Sequence, residues 1–356
     1  MIGIIGFNSL KYMQFLYIYK DILDDIGVEY EVIFWNREGD EMPPQDNFLG
    51  FNETVDTFLP FYKKILAFIK YVSFVKRQIK SRKYDKLIIL TSQTAVPISW
   101  LLFKKYKKKY IFDYRDITYE RFTPYLWLIK KLAKHSSFTA VSSEKFLDTI
   151  NTTDARFVVS HNCSKLRSEY VKKTSADKIR IVYWGMVRQL SFVKRICDVF
   201  ANDERIELFF HGKGYGADEL ESYISQNRYN NIHFTGVYTR DRLKTFAENT
   251  DILLNTYEND ILQKPAMTVK LYDAIRYGLP MLVTKGSYIA QFSEEYGLGL
   301  SVDFADTKLP DKVIGWYRQL KLDELRDNCS KAMVRIQHDN KVFVDSVIKF
   351  VDGEKR

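Results

Sequence analysis

A lysine stands in one short segment where ordinary helix electrostatics would not put it, with an aspartate three residues on. Residues 265–284 read PAMTVKLYDAIRYGLPMLVT, a pattern that predicts a loop, a helix, a tight turn and a buried strand. Thr268 is of a type that caps a helix, Leu271, Ala274 and Ile275 recur at helical spacing, and Gly278-Leu279-Pro280 stops the run. Lys270 then falls in the first turn, beside unpaired backbone N–H groups and the positive end of the dipole, where a cation is disfavoured. The placement makes sense if an anion such as a diphosphate binds there. The lysine and the amides of Thr268 and Val269 would then all point at negative charge. Asp273, one residue short of a full turn later, is placed to bond ribose hydroxyls.

A second polar group follows a strand. Tyr110-Ile111-Phe112-Asp113 reads as a buried strand, and Tyr114-Arg115-Asp116 ends it. Ligands of open α/β sheets sit outside the carboxyl ends of the strands, so Arg115 and Asp116 are candidates for a site, with a loop salt bridge between them as the alternative. His135, His161, His211, His233 and His338 are too dispersed to form a metal set, and no D-x-D lies at a strand end. Metal-independent chemistry is the expectation.

The elements that must position these residues alternate strand and helix. A first strand over residues 2–7, a helix over 10–26 ending at Gly27 and a strand over 30–35 make a β-α-β start, without a G-x-G-x-x-G. Residues 36–60 read as a long connection. A helix over 61–80, strands at 84–90, 110–113, 138–141 and 156–159, and intervening helices complete a first domain. The pattern restarts with a strand at 179–184, followed by Gly185-Met186-Val187-Arg188 and a helix holding Lys194, then strands at 205–210, 232–238, 251–255 and 281–283. The expected class is α/β, with an N-terminal domain at 1–163, a linker at 164–178, a C-terminal domain at 179–335, and a final helix, 336–356, returning to the first domain.

At Lys270-Leu271-Tyr272-Asp273-Ala274 and Tyr277-Gly278-Leu279-Pro280 the sequence resembles the donor-binding segment of retaining, family 4 type glycosyltransferases of the GT-B fold, in which two Rossmann-like domains face each other across a cleft. The family's usual glutamate is Asp273 here. Its other glutamate, eight positions earlier, falls on Pro265; Glu258-Asn259-Asp260 are the acidic residues nearby. The resemblance implies that Gly185, Arg188 and Lys194 hold the donor diphosphate. It also implies that the backbone around Val237 and Tyr238 pairs with the nucleobase, that Thr268 to Asp273 bind the nucleotide, and that D-Y-R-D, with Arg115 and Asp116, faces the acceptor. His211-Gly212-Lys213-Gly214 resembles the family's G-x-G turn, Ser160-His161-Asn162 its turn before the linker, and Gly297-Leu298-Gly299 another landmark.

Composition narrows the partners. The chain has 356 residues, 46% hydrophobic and 28% charged, with 24 Tyr and 25 Phe, which fits a globular protein of two domains. Three scattered cysteines predict reduced thiols in a cytoplasm, and the first residues carry no signal-peptide pattern. The net charge of +9 predicts an anionic partner. Lys63, Lys70 and Arg77 recur every seven residues on the predicted helix at 61–80, and a lysine run follows at 104–109. Two readings stand: peripheral docking on an acidic membrane, or a domain helix with a solvated basic face. The expected function is retaining transfer of a sugar from a UDP- or GDP-linked donor, bound as substrate and with no cofactor. The acceptor would be a carbohydrate, in particular a lipid-linked oligosaccharide of capsule, exopolysaccharide or O-antigen synthesis, with no nucleic-acid partner. Arg188, Lys194 and Asp116 would be the catalytic residues. A sugar-nucleotide 2-epimerase of the same fold, using His161 or His211, and a non-enzymatic anionic-surface binding module are the alternatives.

Overall fold

Strand periodicity decides the layering, because alternate residues of a strand point to opposite faces and a run buried on both faces demands helices on both. The computed structural model describes residues 1–39, 43–55, 60–163, 165–174, 176–214, 216–258 and 265–353. The chain divides into two units, Met1–Ser164 with His338–Arg356, and Lys165–Gln337.

In the first unit, β1 (Ile2–Ile5), β2 (Tyr30–Asn36), β3 (Phe48–Asn52), β4 (Lys86–Leu90), β5 (Tyr110–Tyr114), β6 (Phe138–Val141) and β7 (Phe157–Val159) form a parallel sheet in the order β3-β2-β1-β4-β5-β6-β7. Its helices are α1 (Leu16–Asp25), α2 (Phe61–Arg82), α3 (Ser92–Ala95), α4 (Ser99–Lys105), α5 (Thr123–His135) and α6 (Leu147–Ile150). Ile5, Ile33, Ile89 and Phe112 pack on α2, α4 and α5, while Ile4, Val32, Ile88 and Ile111 pack on α1 and on Phe343, Val347 and Phe350 of the last helix. The expected connection at 36–60 contains β3, which pairs with β2 from Val32–Phe48 to Asn36–Asn52. An edge strand that is buried mainly at Phe48 and carries Gly50 leaves little periodic signal.

In the second unit, β8 (Ile179–Trp184), β9 (Ile206–His211), β10 (Ile232–Gly236), β11 (Ile252–Asn255), β12 (Met281–Thr284) and β13 (Gly299–Val302) form a parallel sheet in the order β10-β9-β8-β11-β12-β13. Its helices are α7 (Leu190–Phe200), α8 (Ala217–Gln226), α9 (Leu243–Glu248), α10 (Val269–Tyr277), α11 (Tyr288–Tyr296) and α12 (Leu309–Gln319); α13 (Leu322–Asp352) begins here and ends in the first unit. Ile181, Leu208, Ile252 and Leu254 pack on Phe192, Ile196 and Phe200 of α7. The segment expected as a linker is bound to this unit: the Glu169 N–H donates to Arg276 O at 2.7 Å. The Arg180 guanidinium closes a buried pair with Asp251 at 3.0 Å and donates to Thr174 O at 2.8 Å. In both sheets the order reverses beside the first strand, β1 or β8, which opens a crevice at the carboxyl edge where ligands of such sheets bind.

Candidate functional site

In the second unit, the carboxyl ends of β8, β11 and β12 converge on the first turn of α10. Thr268 occupies the N-cap with extended backbone, but no side chain caps the turn. Its hydroxyl donates instead to Asn255 Oδ1 at 2.8 Å, so the expected Thr268 cap is corrected to a tie between α10 and the end of β11. Gly278 ends the helix in the left-handed conformation (φ +69°), as the glycine predicts.

Lys270 is 6% exposed, and its Nζ lies 4.2 Å from the centre of the Tyr183 ring and 4.7 Å from that of Tyr257. Among the described residues no carboxylate lies within ion-pair distance of it. Burial pushes its ammonium below the ordinary lysine range, with Tyr183 and Asp273 opposing the shift. The cage is held by the strand ends. The Tyr183 hydroxyl donates to Met186 O at 2.8 Å, the Tyr257 N–H donates to Thr284 Oγ1 at 2.9 Å, and the Thr284 hydroxyl donates back to Tyr257 O at 2.7 Å. Sequence reasoning missed both tyrosines. The rule that singled out Arg115, polar residues just past a strand's carboxyl end, reaches Tyr257, two residues past β11, but not Tyr183, which lies inside β8.

Asp273, one turn along α10, is also 6% exposed and accepts from Trp184 Nε1 at 3.0 Å. Burial raises its carboxyl above the usual range, opposed by that bond and by Arg240, Arg276 and Lys270. Its charge in turn reaches Tyr238, whose hydroxyl is raised mainly by burial. Val237 and Tyr238 lie just past β10; Val237 is exposed and the Tyr238 ring is edge-on to Phe246 at 5.4 Å. Arg188 is exposed, places Nε 2.9 Å from Met186 Sδ, and acts electrostatically on Tyr257. Lys270, Asp273, Arg188, Gly185 and Tyr238 are therefore brought into one neighbourhood.

Lys194 is engaged elsewhere. Its Nζ pairs with Glu219 Oε1 at 2.8 Å and lies over the Tyr223 ring at 4.8 Å, so it joins α7 to α8. The register explains this: a lysine one turn into α7 points along the helix flank rather than back to the Gly185 turn.

The two glycines of the turn after β9 have a steric cause. A Cβ on Gly212 (φ +144°) would lie 1.8 Å from Gly185 O, and one on Gly214 would lie 2.1 Å from Val187 O. Two loops thus run backbone against backbone, joined by Gly185 N–H to His211 O at 2.9 Å. His211 is buried, stacks on Phe246 at 3.9 Å, shares a 2.5 Å hydrogen bond with Thr235 and has its imidazolium pushed down to about 4 by burial. It is a packed neutral ring. Pro265 is buried; Glu258 is fixed by its N–H to Gln189 Oε1 at 3.0 Å, and Asn259 and Asp260 lie outside the described residues.

In the first unit Arg115 forms a buried ion pair with Asp113. Arg115 is 5% exposed and grips Asp113 twice, at 2.7 and 3.1 Å. It also donates to Ser160 O at 3.0 Å, Ser160 Oγ at 2.8 Å and Asn162 Oδ1 at 2.5 Å. The Tyr19 hydroxyl donates to Asp113 at 2.6 Å. Arg115 thus ties the end of β5 to the turn after β7, while Asp116 is exposed beside it. His161 is buried, with Nε2 3.2 Å from Asp339. No group of three or more His, Cys, Asp or Glu among the described residues has the geometry of a metal site.

No protein-family model matches this sequence, and no curated protein matches it. Solved structures do match over nearly the whole chain. Sucrose-phosphate synthase from Thermosynechococcus elongatus is similar at TM-score 0.72 and 11% identity, over 99% of this chain and 97% of that one. The lipopolysaccharide outer core galactosyltransferase WaaB is similar at 0.68 and 13%, over 98% and 99%. HepE from Anabaena, solved in complex with UDP and glucose, is similar at 0.67 and 14%, over 99% of each chain. With two Rossmann-like parallel sheets and this likeness across both units, the fold is that of the GT-B glycosyltransferases.

Proposed function

We propose that this chain is a glycosyltransferase that takes a sugar from a nucleoside-diphosphate donor held by the second unit. The observation that carries the reading is Lys270: a buried ammonium, caged by Tyr183 and Tyr257, with no carboxylate partner among the described residues, in the first turn of a helix that no side chain caps. A buried unpaired cation is costly, and a diphosphate would satisfy both it and the turn's amides. Asp273, oriented by Trp184, would accept from ribose hydroxyls, and the Val237–Tyr238 backbone would meet the base. The structural relatives solved with UDP support this choice of ligand class.

Lys270, Arg188 and the α10 amides would stabilise the charge that develops on the departing diphosphate. Retention is proposed through front-face attack. The acceptor hydroxyl oxygen bonds to the anomeric carbon as the carbon–phosphate-oxygen bond breaks, and the hydroxyl proton passes to the leaving diphosphate. Asp116, exposed at the carboxyl edge of the first sheet, is the acceptor-side candidate, and Arg115 positions that edge. The acceptor is proposed to be a lipid-linked saccharide of capsule, exopolysaccharide or O-antigen synthesis, reached from a membrane surface through residues 61–80 and 104–109.

The test is turnover of UDP- and GDP-sugars with lipid-linked acceptors, in buffer and in EDTA, with product configuration read by NMR. The reading predicts acceptor-dependent release of nucleoside diphosphate, unchanged by EDTA, and an anomeric configuration equal to the donor's. Release without any acceptor, or an inverted product, would contradict it.

A further inference from the structure

Three helices of the first unit, α2, α4 and α5, leave large apolar side chains in solvent. On α2 the stripe Ala67, Tyr71, Val75 and Ile79 goes into the core, yet Phe61, Tyr62, Ile65, Leu66 and Ile69 remain outside, from 43% exposed at Ile65 to 78% at Phe61. Trp100 on α4 is 67% exposed and Trp127 on α5 is 61% exposed. Folding buries none of these, and so many on neighbouring helices exceed the scattered apolar residues of an ordinary surface.

Their position along the helices is not random. Each crossover helix of a parallel sheet runs against its strands, so helix N-terminal halves lie at the carboxyl edge. The Tyr71 hydroxyl, donating to Gly6 O just past β1, fixes that register, and residues 61–69 therefore reach to and beyond the edge. Trp100 and Trp127 are likewise near the starts of their helices. This is the edge that carries Arg115 and Asp116.

The charge on the same helices is one-sided. The segments α2, α4 and α5 hold seven, two and three Lys or Arg, twelve in all, and no Asp or Glu, in a chain with 54 basic and 45 acidic residues. Lys70, Arg82 and Lys134 pair with Glu53, Glu31 and Asp154 from neighbouring segments. Lys104 lies over the Trp100 ring at 4.7 Å and Lys131 over the Trp127 ring at 4.9 Å, a cation beside each exposed indole. Farther down, a cleft of about 750 Å³ between α2 and α4 is lined by Lys76, Lys80, Lys83, Lys105 and Lys109. Its one carboxylate, Asp85, is paired with the Met1 ammonium at 2.7 Å.

We infer that the outer face of α2, α4 and α5 docks on an anionic lipid bilayer. Its aliphatic and aromatic side chains enter the headgroup–acyl boundary, and its lysines meet lipid phosphates. The two halves of the argument need one surface that is anionic and also apolar just beneath, which a bilayer supplies and a nucleic acid does not. This sharpens the membrane element of the proposed function: it adds α5, fixes which end of the helices is lowered into the lipid, and sets the carboxyl edge of the first sheet against the bilayer.

The experiment is flotation of the full chain with vesicles of phosphatidylcholine alone or mixed with phosphatidylglycerol, at low and high salt. Two sets of variants are compared, Ile65→Gln/Leu66→Gln/Ile69→Gln and Lys104→Gln/Lys131→Gln. All five positions are on the helix surfaces or at their rim, and the thermal shift of each variant with UDP reports an intact second unit. The expected result is flotation with the anionic vesicles only, at least about tenfold weaker for the apolar variant and about fivefold weaker per neutralised lysine. Failure of the wild type to float, or equal flotation of the variants, overturns the inference. So does a concentration-dependent dimer that the apolar variant abolishes, since the face would then be covered by a second copy. A UDP response without flotation would leave the transferase reading standing and sink this one; flotation without any nucleotide response would do the reverse.

Discussion

Lys270 shows most directly how one residue separates ligand binding from stability. Its ammonium is held below the ordinary lysine range by burial, so at neutral pH the folded state carries the penalty of a desolvated charge that the unfolded state lacks. That penalty is full below the depressed pKa and fades as pH rises through it toward the ordinary lysine value. Lys270→Met is therefore expected to raise the melting temperature at neutral pH, and the gain should vanish in alkali; scanning calorimetry across pH reads both. Nucleoside-diphosphate affinity of the wild type should fall at a pH below the usual lysine range, where the ammonium discharges. Arg115 predicts the opposite sign. Arg115→Leu would leave Asp113 buried and uncompensated, a loss of about 3–5 kcal/mol by the usual magnitude for a broken buried pair, visible in urea unfolding followed by probes in the first unit. A merely small change would show that the Asp113 pair does not hold the β5 edge. The sequence made Lys270 legible because a cation is odd in a helix's first turn, and Asp273 because it stands where the resembled family carries its glutamate. It left Tyr183 and the Asp113–Arg115 pair illegible, since which partner a side chain finds depends on strand neighbours distant in the chain.

At the scale of elements, close backbone approach dominates. The turns after β8 and β9 touch main chain to main chain at Gly212 and Gly214, and that contact sets where Gly185 and Arg188 stand relative to Lys270. Gly212→Ala is predicted to part the two turns and lower both stability, by about 1–3 kcal/mol for a forced overpacking, and nucleotide affinity. Gly236→Ala meets nothing within 4 Å and carries only the strain of φ +74°, so it should affect stability slightly and affinity little. Equal effects of the two substitutions, measured by calorimetry and titration, would refute the steric account. Strands buried on both faces were readable as apolar runs, and β6 and β8 fall where those runs predict. The edge strand β3 was not, because Phe48-Leu49-Gly50-Phe51-Asn52 is short, half-exposed and interrupted by glycine. For Lys194 the spacing along α7 was visible, but the presence of Glu219 on α8 as its partner was not.

At the scale of the whole molecule, two parallel sheets carry different tasks. The second presents a caged cation and a buried carboxylate at its carboxyl edge; the first presents an exposed aspartate at its edge and an acid-free, aromatic helical face. Fold likeness to UDP-bound relatives at 14% identity says nothing by itself about these particular side chains. The central claim is that Lys270 exists to meet a diphosphate, and a thermal-shift titration of the wild type and Lys270→Met with UDP, GDP, ADP and CMP tests it most directly. A ligand that binds only the folded state raises the melting temperature by mass action. The account predicts that one nucleoside diphosphate stabilises the wild type, and that Lys270→Met binds it roughly 10- to 100-fold more weakly, the worth of a charge-assisted hydrogen bond. No shift with any of them at several millimolar, or the same shift in wild type and variant, would contradict it.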